Sequence, residues 1–208
     1  HISVNQNGES CLLTVSIKLN AQIQCYRTES TDVVTDAYST KCPLRLETGR
    51  VSTQQLEDLY PDLTPKQRET AYVRERGAAF IMQIGGRLRS GQKHDGRAPD
   101  YDDWALNGDI VLYYPVLDCA FEISSMGIRV DEDSLVSQLK AENCLERLEY
   151  PFHKALVAGE LPLTMGGGIG QSRLCMFLLN KMHIGEVQVS LWDEKTEQYC
   201  RENNIPLM

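Results

Sequence analysis

The hydrophobic and polar positions of this chain repeat with two periods, which predict a sheet combined with helices. Alternating or fully apolar runs of a few residues are typical of strands. They predict strands over 13–19, 78–84, 109–116, 119–130 and 187–192. The run 110–114 is apolar at every position, which indicates a strand buried on both faces. A polar loop over 87–104 separates the second and third of these strands.

Helix signals lie between the strands. Capping boxes have a hydroxyl residue followed three positions later by Glu or Gln, and proline is tolerated at the first helical position. Capping boxes stand at Ser52–Gln55 and at Thr64–Gln67, and Pro65 follows the first residue of the second box. Asp131 is a candidate N-cap for a helix through Leu139. The spacing of Leu148, Phe152 and Leu156 predicts another helix, and an apolar run predicts a last one that ends at about Asn180. Two short helices should therefore flank residues 60–62.

Strands paired early and helices interleaved late predict an α+β fold with a mostly antiparallel sheet flanked by helices. The length of 208 residues favours one domain over 1–208. Residues 1–42 are polar, and apart from the strand predicted over 13–19 they receive no functional assignment. Because the chain begins at His1 rather than Met, we expect a processed or truncated N-terminus.

Charge and composition exclude several classes of protein. With 29 acidic against 21 basic side chains the net charge is −8, which disfavours nonspecific binding to nucleic acid. The apolar run 174–179 is far shorter than the roughly 20 residues that cross a bilayer, so no membrane association is expected. Seven cysteines, odd in number and without a CxxC pair, indicate reduced thiols and a cytoplasmic location.

A glycine-rich segment over 166–170 precedes Arg173 in an apolar helix. Glycines at a helix start can present backbone N–H groups to a phosphate, and Arg173 would supply a cation. The segment lacks the Lys-Ser/Thr of a P-loop and the third glycine of a dinucleotide fingerprint. The alternative is that the glycines only form a turn, and that Arg173 makes a buried salt bridge, for example with Glu122.

Two strand carboxylates, Glu122 and Asp109, are candidate ligands of Mg²⁺. Alternation along the strand places Glu122 opposite to Phe121 and Ile123, and it places Ser125 with Ile123 unless the strand bulges. Magnesium bound to a triphosphate takes only one or two protein carboxylates, so this pair is sufficient. The alternative is that both lie on a solvated face.

A third cluster over 94–104 contains four carboxylates and Arg97. Carboxylates for an ammonium group and an arginine for a carboxylate could hold a zwitterionic amino acid. A solvated acidic loop is the competing interpretation. His94 and His153, taken singly, are more typical of structural histidines than of catalytic bases.

Four segments in order, 94–104, 106–110, 121–131 and 166–174, resemble the ammonia-dependent asparagine synthetases, the aspartate–ammonia ligase family. The resemblance extends from about Leu56 to Trp192. This family is similar in fold to the catalytic core of class II aminoacyl-tRNA synthetases, an antiparallel sheet flanked by helices, and is normally dimeric. The resemblance implies that aspartate, ATP with Mg²⁺, and ammonia give asparagine, AMP and pyrophosphate through an aspartyl adenylate.

The resemblance also implies roles for individual residues. Arg173 would bind the ATP phosphates, Asp109 and Glu122 would bind ATP and Mg²⁺, and Arg129 and Gly168 would contact the nucleotide. Asp102 would bind the ammonium group of aspartate and Arg97 its carboxylate, and Ser125 would be a further substrate contact. Arg173, Glu122 and Asp109 are the residues expected to carry catalysis.

Two departures from the family keep alternatives open. Motifs 1 and 2, which include an arginine on the α-phosphate, are not found in residues 1–55. The family also has a loop where this chain passes directly from Trp104 to Ala105. A noncatalytic remnant with an assembly or regulatory role is therefore the alternative function. A tRNA synthetase is disfavoured by the acidic charge and by the lack of an anticodon-binding segment.

Overall fold

A five-stranded sheet forms the centre of the part of the chain that the computed structural model describes, residues 49–208. Its strands are β1 (Gly49–Ser52), β2 (Ala78–Met82), β3 (Asp102–Tyr114), β4 (Cys119–Arg129) and β5 (Met165–Ile169), in the order β1-β2-β3-β4-β5. The β1–β2 pair is parallel and the other three are antiparallel. The predicted α+β class and mostly antiparallel sheet are confirmed. The strand predicted over 13–19 lies outside the described residues, as does everything expected of 1–42.

Six α-helices flank the described sheet, and the capping signals set where several of them begin. The helices are α1 (Thr53–Leu59), α2 (Pro65–Arg76), α3 (Glu132–Ala141), α4 (Pro151–Val157), α5 (Gln171–Leu178) and α6 (Glu194–Glu202), with 3-10 turns at Leu145–Glu149 and Ile184–Glu186. The backbone N–H of Ser52 donates to Gln55 at 2.8 Å, and Asp131 accepts from the N–H of Ser134 at 2.8 Å. The predicted caps and the two helices around 60–62 are confirmed.

One face of the sheet packs beneath α1 and α2. Leu56 of α1 and Val73 of α2 are fully buried against Ile81 of β2 and Val111 of β3. Burying such side chains stabilises the fold by about 1.5–3 kcal/mol each. Asp109 lies two residues before Val111 on β3 and shares its face. The apolar core thus gives way to a polar region along a single strand.

The opposite face packs against α5 and the turns that follow it. Tyr114 of β3 and Phe177 of α5 are buried, with ring centroids 5.5 Å apart. The Tyr114 hydroxyl lies 2.9 Å from the Met176 carbonyl oxygen, so it ties the end of α5 to the sheet. This packing fixes the helix that carries Arg173.

Strand β3 begins seven residues before the predicted position 109. Its first pair is Asp102 with Arg129, and the next is Asn107 with Gly127, so residues 103–106 bulge opposite Ile128 alone. This irregular stretch includes the Trp104–Ala105 step at which the resemblance implies a loop. The apolar pattern does not reveal the early start, because the polar and apolar side chains of residues 102–108 do not alternate.

The strand predicted over 187–192 is wrong. Within the described residues this stretch has no ladder partner, and Val189 and Leu191 are 72% and 98% exposed. A strand requires a neighbouring strand for its backbone hydrogen bonds, which an alternating pattern cannot supply by itself.

The helix predicted from Leu148, Phe152 and Leu156 is divided between a 3-10 turn and α4. Leu148 and Leu156 pack against Leu135 and Leu139 of α3, whereas Phe152 is exposed. Pro151 starts α4, since its ring cannot continue a preceding helix.

Candidate active site

A β-bulge in β4 brings the predicted site residues to one face of the sheet. Ser124 pairs with Ile110 and Glu122 pairs with Val111, so Ile123 is the extra residue. Ser125 pairs with Asp109. Directly opposite residues of an antiparallel pair point to the same side. Glu122 and Ser125 therefore share the face of Asp109, which strict alternation would not allow.

The glycines form a strand and not the start of a helix, which corrects the predicted phosphate cradle. Gly166 and Gly168 lie in β5 opposite Gly127 and Ser125, and α5 begins only at Gln171. A Cβ at Gly166 would lie 2.4 Å from Arg129 Nη2. At Gly168 a Cβ would meet nothing within 4 Å. The glycines thus admit the Arg129 side chain and leave bare backbone beside open space.

That open space is a cleft of about 670 Å³ between β4, β5 and the start of α5. Its walls include the predicted residues Asp102, Glu122, Ser125, Arg129, Gly168 and Arg173. Asp109 and Arg97 do not line it. The volume is in the range of cavities that hold small-molecule ligands.

Arg173 points toward the predicted magnesium carboxylate. Its Nη1 donates to the Glu122 carbonyl oxygen at 3.1 Å and lies 3.6 Å from Glu122 Oε1. The side chain of Arg173 is 49% exposed, so the pair with Glu122 exists but is not the buried salt bridge of the alternative interpretation. The guanidinium remains open to the cleft.

Glu122 and Asp109 are close enough to interact, and their surroundings suit a cation. Burial and the nearby charge of Asp109 raise the pKa of Glu122, although Arg173, Arg97 and Lys66 oppose the shift. Asp109 is buried, and its Oδ1 is without a hydrogen-bond partner in the described part of the protein. A Mg²⁺ ion would relieve both conditions. Residues 49–208 contain no cluster of three or more metal-ligating side chains, so a site here would rest on this pair and on substrate oxygens.

Asp102 and Arg129 form an ion pair at the cleft, and Tyr101 also contacts the Arg129 guanidinium. Arg129 Nη2 donates to the Tyr101 hydroxyl at 3.0 Å, and its guanidinium carbon lies 3.9 Å from the Tyr101 ring centroid. The exposed ring lies in the 94–104 segment, but only the tertiary structure brings it against Arg129.

Buried Gln138 of α3 holds the segment that carries Asp102. Its amide donates to the carbonyls of Pro99 and Asp102 at 2.9 and 3.1 Å, and it accepts from the Trp104 N–H at 2.8 Å. Gln138 was not predicted as a functional residue, and no local motif distinguishes it. It acts through the loop, which it keeps in place over the cleft.

Arg97 is the predicted site residue whose position differs most from expectation. Its Nη2 bonds Asp109 Oδ2, and its Nη1 lies 3.5 Å from Asp95 Oδ2. The 94–104 cluster is thus not a single amino-acid cradle, since Arg97 turns to Asp109 while Asp102 turns to Arg129.

The two histidines pair with carboxylates and are not among the residues that line the cleft. His94 Nε2 lies 2.9 Å from Glu69 Oε1, and His153 Nε2 lies 3.1 Å from Asp100 Oδ2. Both rings are buried.

Ile184 and Gln188, which follow α5, also line the cleft, and the sequence did not indicate them. Ser172 Oγ donates to Gln188 Oε1 at 2.6 Å, which links the start of α5 to the segment after the second 3-10 turn. Ile184 and Gln171 belong to the same wall. Ile184 and Gln188 carry no recognisable spacing, so only the tertiary structure identifies them as cleft residues.

The chain belongs to the aspartate–ammonia ligase family, whose profile matches residues 8–204. The match extends beyond the limits of Leu56 and Trp192 within which the resemblance was expected, and so includes most of the N-terminal segment.

Curated relatives named aspartate–ammonia ligase support the same assignment. The protein of Ruminiclostridium cellulolyticum is 66% identical over 158 residues, which cover 76% of this chain and 47% of the relative. The Fusobacterium nucleatum protein is 58% identical over the same length, with 76% and 48% covered. The chain spans about half the length of the curated relatives it matches.

Solved structures of tRNA synthetases have a weaker likeness. The aspartyl-tRNA synthetase of Entamoeba histolytica is 15% identical, with a TM-score of 0.48 over 71% of this chain and 32% of that one. The asparaginyl-tRNA synthetase of Pyrococcus horikoshii is 18% identical, with a TM-score of 0.44 over 66% of this chain and 34% of that one.

Among the helices of residues 49–208, none has the length and apolarity that a membrane span requires.

Proposed function

We propose that this protein makes asparagine from aspartate, ATP and ammonia. A side-chain oxygen of aspartate attacks the α-phosphorus of ATP, and the bond from that phosphorus to the leaving pyrophosphate breaks. Ammonia then attacks the acyl carbon of the aspartyl adenylate, loses a proton and displaces AMP. The single observation that carries the proposal is the convergence of Arg173, Glu122, Ser125 and Arg129 on one cleft in a chain of this family.

Arg173 is the proposed phosphate ligand. Its half-exposed guanidinium is already oriented by the Glu122 carbonyl, so little further ordering is needed when a triphosphate arrives. A fixed positive charge placed where negative charge develops is the main way in which such sites accelerate phosphoryl chemistry. Gly168 offers backbone without a side chain at the same wall, which suits a closely packed nucleotide.

Glu122 and Asp109 are the proposed ligands of Mg²⁺. The raised pKa of Glu122 and the unpartnered Oδ1 of Asp109 both favour a cation between them. Magnesium would neutralise charge on the triphosphate and so make the α-phosphorus easier to attack. The two carboxylates would hold the metal by their position in the sheet and would take no covalent part.

Asp102 and Ser125 are the proposed contacts for the amino acid, with Arg97 as the third. Asp102 is buried beside the cleft and is held by Gln138, so its carboxylate can accept from a substrate ammonium group. Arg97 must exchange a partner before it can bind a carboxylate, because it is paired with Asp109.

The proposed setting is a cytoplasmic homodimer. Cysteines 119, 144, 175 and 200 are free thiols, which suits a reducing compartment. Dimerisation is proposed from family membership.

The test is product analysis with the full-length protein. Aspartate, MgATP and ammonium should give asparagine, AMP and pyrophosphate in equal amounts. ADP and phosphate in place of AMP and pyrophosphate would refute the adenylate route. Calorimetry with MgATP separates the remaining alternative, because a noncatalytic remnant would release no binding heat.

A further inference from the structure

A chain of alternating charges leads from α2 to Asp109, and the proposed reaction does not use most of it. Lys66 Nζ lies 3.2 Å from Glu69 Oε2 and 3.6 Å from Asp95 Oδ2. The same Asp95 oxygen lies 3.5 Å from Arg97 Nη1, while Arg97 Nη2 bonds Asp109. One guanidinium is therefore held between two carboxylates, of which the Asp95 side chain is 37% exposed and that of Asp109 only 8%.

This arrangement places a cation of the protein on a carboxylate proposed to bind a metal. An unpaired charge as buried as that of Asp109 is costly, and Arg97 removes the cost. Arg97 on Oδ2 and a divalent ion on the unpartnered Oδ1 would compete for Asp109, because like charges so close together repel strongly where water is scarce. Asp95 offers the guanidinium a second partner on the more exposed side.

We propose that Arg97 is the resident counter-ion of Asp109, and that Asp95 is the positioning residue to which its guanidinium moves when a divalent cation binds. The inference rests on the proposed function, since that function supplies the cation. Lys66 stays on Glu69 and offsets the charge of Asp95 whether Arg97 is near or far. The exchange frees Nη2 of Arg97 only after the metal has arrived, which would couple metal binding to binding of the amino acid's carboxylate.

The test measures Mn²⁺ binding to the full-length protein without nucleotide, by the electron paramagnetic resonance of free Mn²⁺. Arg97→Gln should bind Mn²⁺ about tenfold more tightly than the unaltered protein, because the competing cation is gone. Asp95→Asn should bind about threefold more weakly, because Arg97 then has only Asp109. In the Arg97→Gln background, the Asp95 change should alter the affinity by less than about twofold.

Asp118→Asn is the matched control, because Asp118 also pairs with an arginine, Arg74, but at the β3–β4 turn. Its φ of 49° is one that asparagine tolerates. The control should leave Mn²⁺ affinity unchanged. Melting curves show whether each variant folds, and if Arg97→Gln does not fold, Arg97→Lys takes its place with a smaller gain in affinity.

Three outcomes would overturn the inference. Equal Mn²⁺ affinity in the unaltered protein and in Arg97→Gln would show that Arg97 does not compete with the metal for Asp109. If Asp95→Asn changes Mn²⁺ affinity equally with and without Arg97, Asp95 acts only as a distant charge and does not position Arg97. If none of the proteins binds Mn²⁺, the assignment of Glu122 and Asp109 as metal ligands is also wrong. Asparagine synthesis is tested separately by product analysis.

Discussion

Truncating Arg173 to alanine should separate catalysis from stability. Among residues 49–208 the guanidinium makes one hydrogen bond, to the Glu122 carbonyl, and one ion pair at 3.6 Å, and its side chain is 49% exposed. Exposed ion pairs contribute about 0–1 kcal/mol, so the unfolding midpoint should change little. The rest of the residue's role would lie in its action on substrate.

The expected loss of turnover is about 100-fold, or about 2.7 kcal/mol of transition-state stabilisation. This is the scale for removing one preorganised donor from a developing negative charge. Arg173→Lys keeps the charge but cannot make a planar, two-donor contact with phosphate, so it should recover only part of the rate.

Pyrophosphate release by the full-length protein, at saturating aspartate and ammonium, measures the rate. Arg201→Ala serves as control, since Arg201 forms an exposed pair with Glu197 on α6 and should change neither rate nor melting temperature. A rate within about threefold of the unaltered enzyme would refute the phosphate role of Arg173. A large fall in melting temperature would instead show that the residue is structural.

Three further predictions concern the fold and the cleft. Asn107→Leu should lower the free energy of unfolding in urea by about 2–4 kcal/mol, because the buried amide bonds both backbone groups of Ile84, at 2.8 and 2.7 Å, and a loss below about 1 kcal/mol would contradict this. Gly166→Ala should raise a substrate KM roughly tenfold to a hundredfold with little change in stability, because its methyl would lie 2.4 Å from Arg129 Nη2; unchanged kinetics would contradict it. Glu122→Gln should melt at a slightly higher temperature at pH 7 without divalent cations yet make asparagine at least ~100-fold more slowly. Burial and the neighbouring aspartate raise the pKa of Glu122, so folding stability declines as pH rises from the unfolded value toward the folded one, and a lower melting temperature would contradict the sign.

Features that depend on neighbouring residues were predictable from the sequence. The cap side chains of Ser52 and Asp131 accept hydrogen bonds from backbone N–H groups three positions further along the chain. The strand 119–130 matches β4 to within one residue, because its pattern is long and its turn at Asp118 is short. Helix starts and tight turns involve few degrees of freedom, so local chemistry decides them.

The identities of most cleft residues were also available from the sequence, through the resemblance to a family and not through periodicity. Glu122, Ser125, Arg129 and Gly168 all line the cleft. Their roles toward substrate and metal remain predictions until the variants are measured.

The linear sequence determined the caps, strand β4 with the turn before it, and the kinds of side chain available for chemistry, because each depends on residues a few positions apart. The tertiary structure decided the rest. It inserted the bulge at Ile123 that turns Glu122 and Ser125 to one face, and it placed the glycines in a strand. It also paired Arg97 with Asp109 and left 187–192 without a strand partner among residues 49–208. Such contacts join residues that are far apart in sequence, and their energy depends on which surfaces the folded chain brings together.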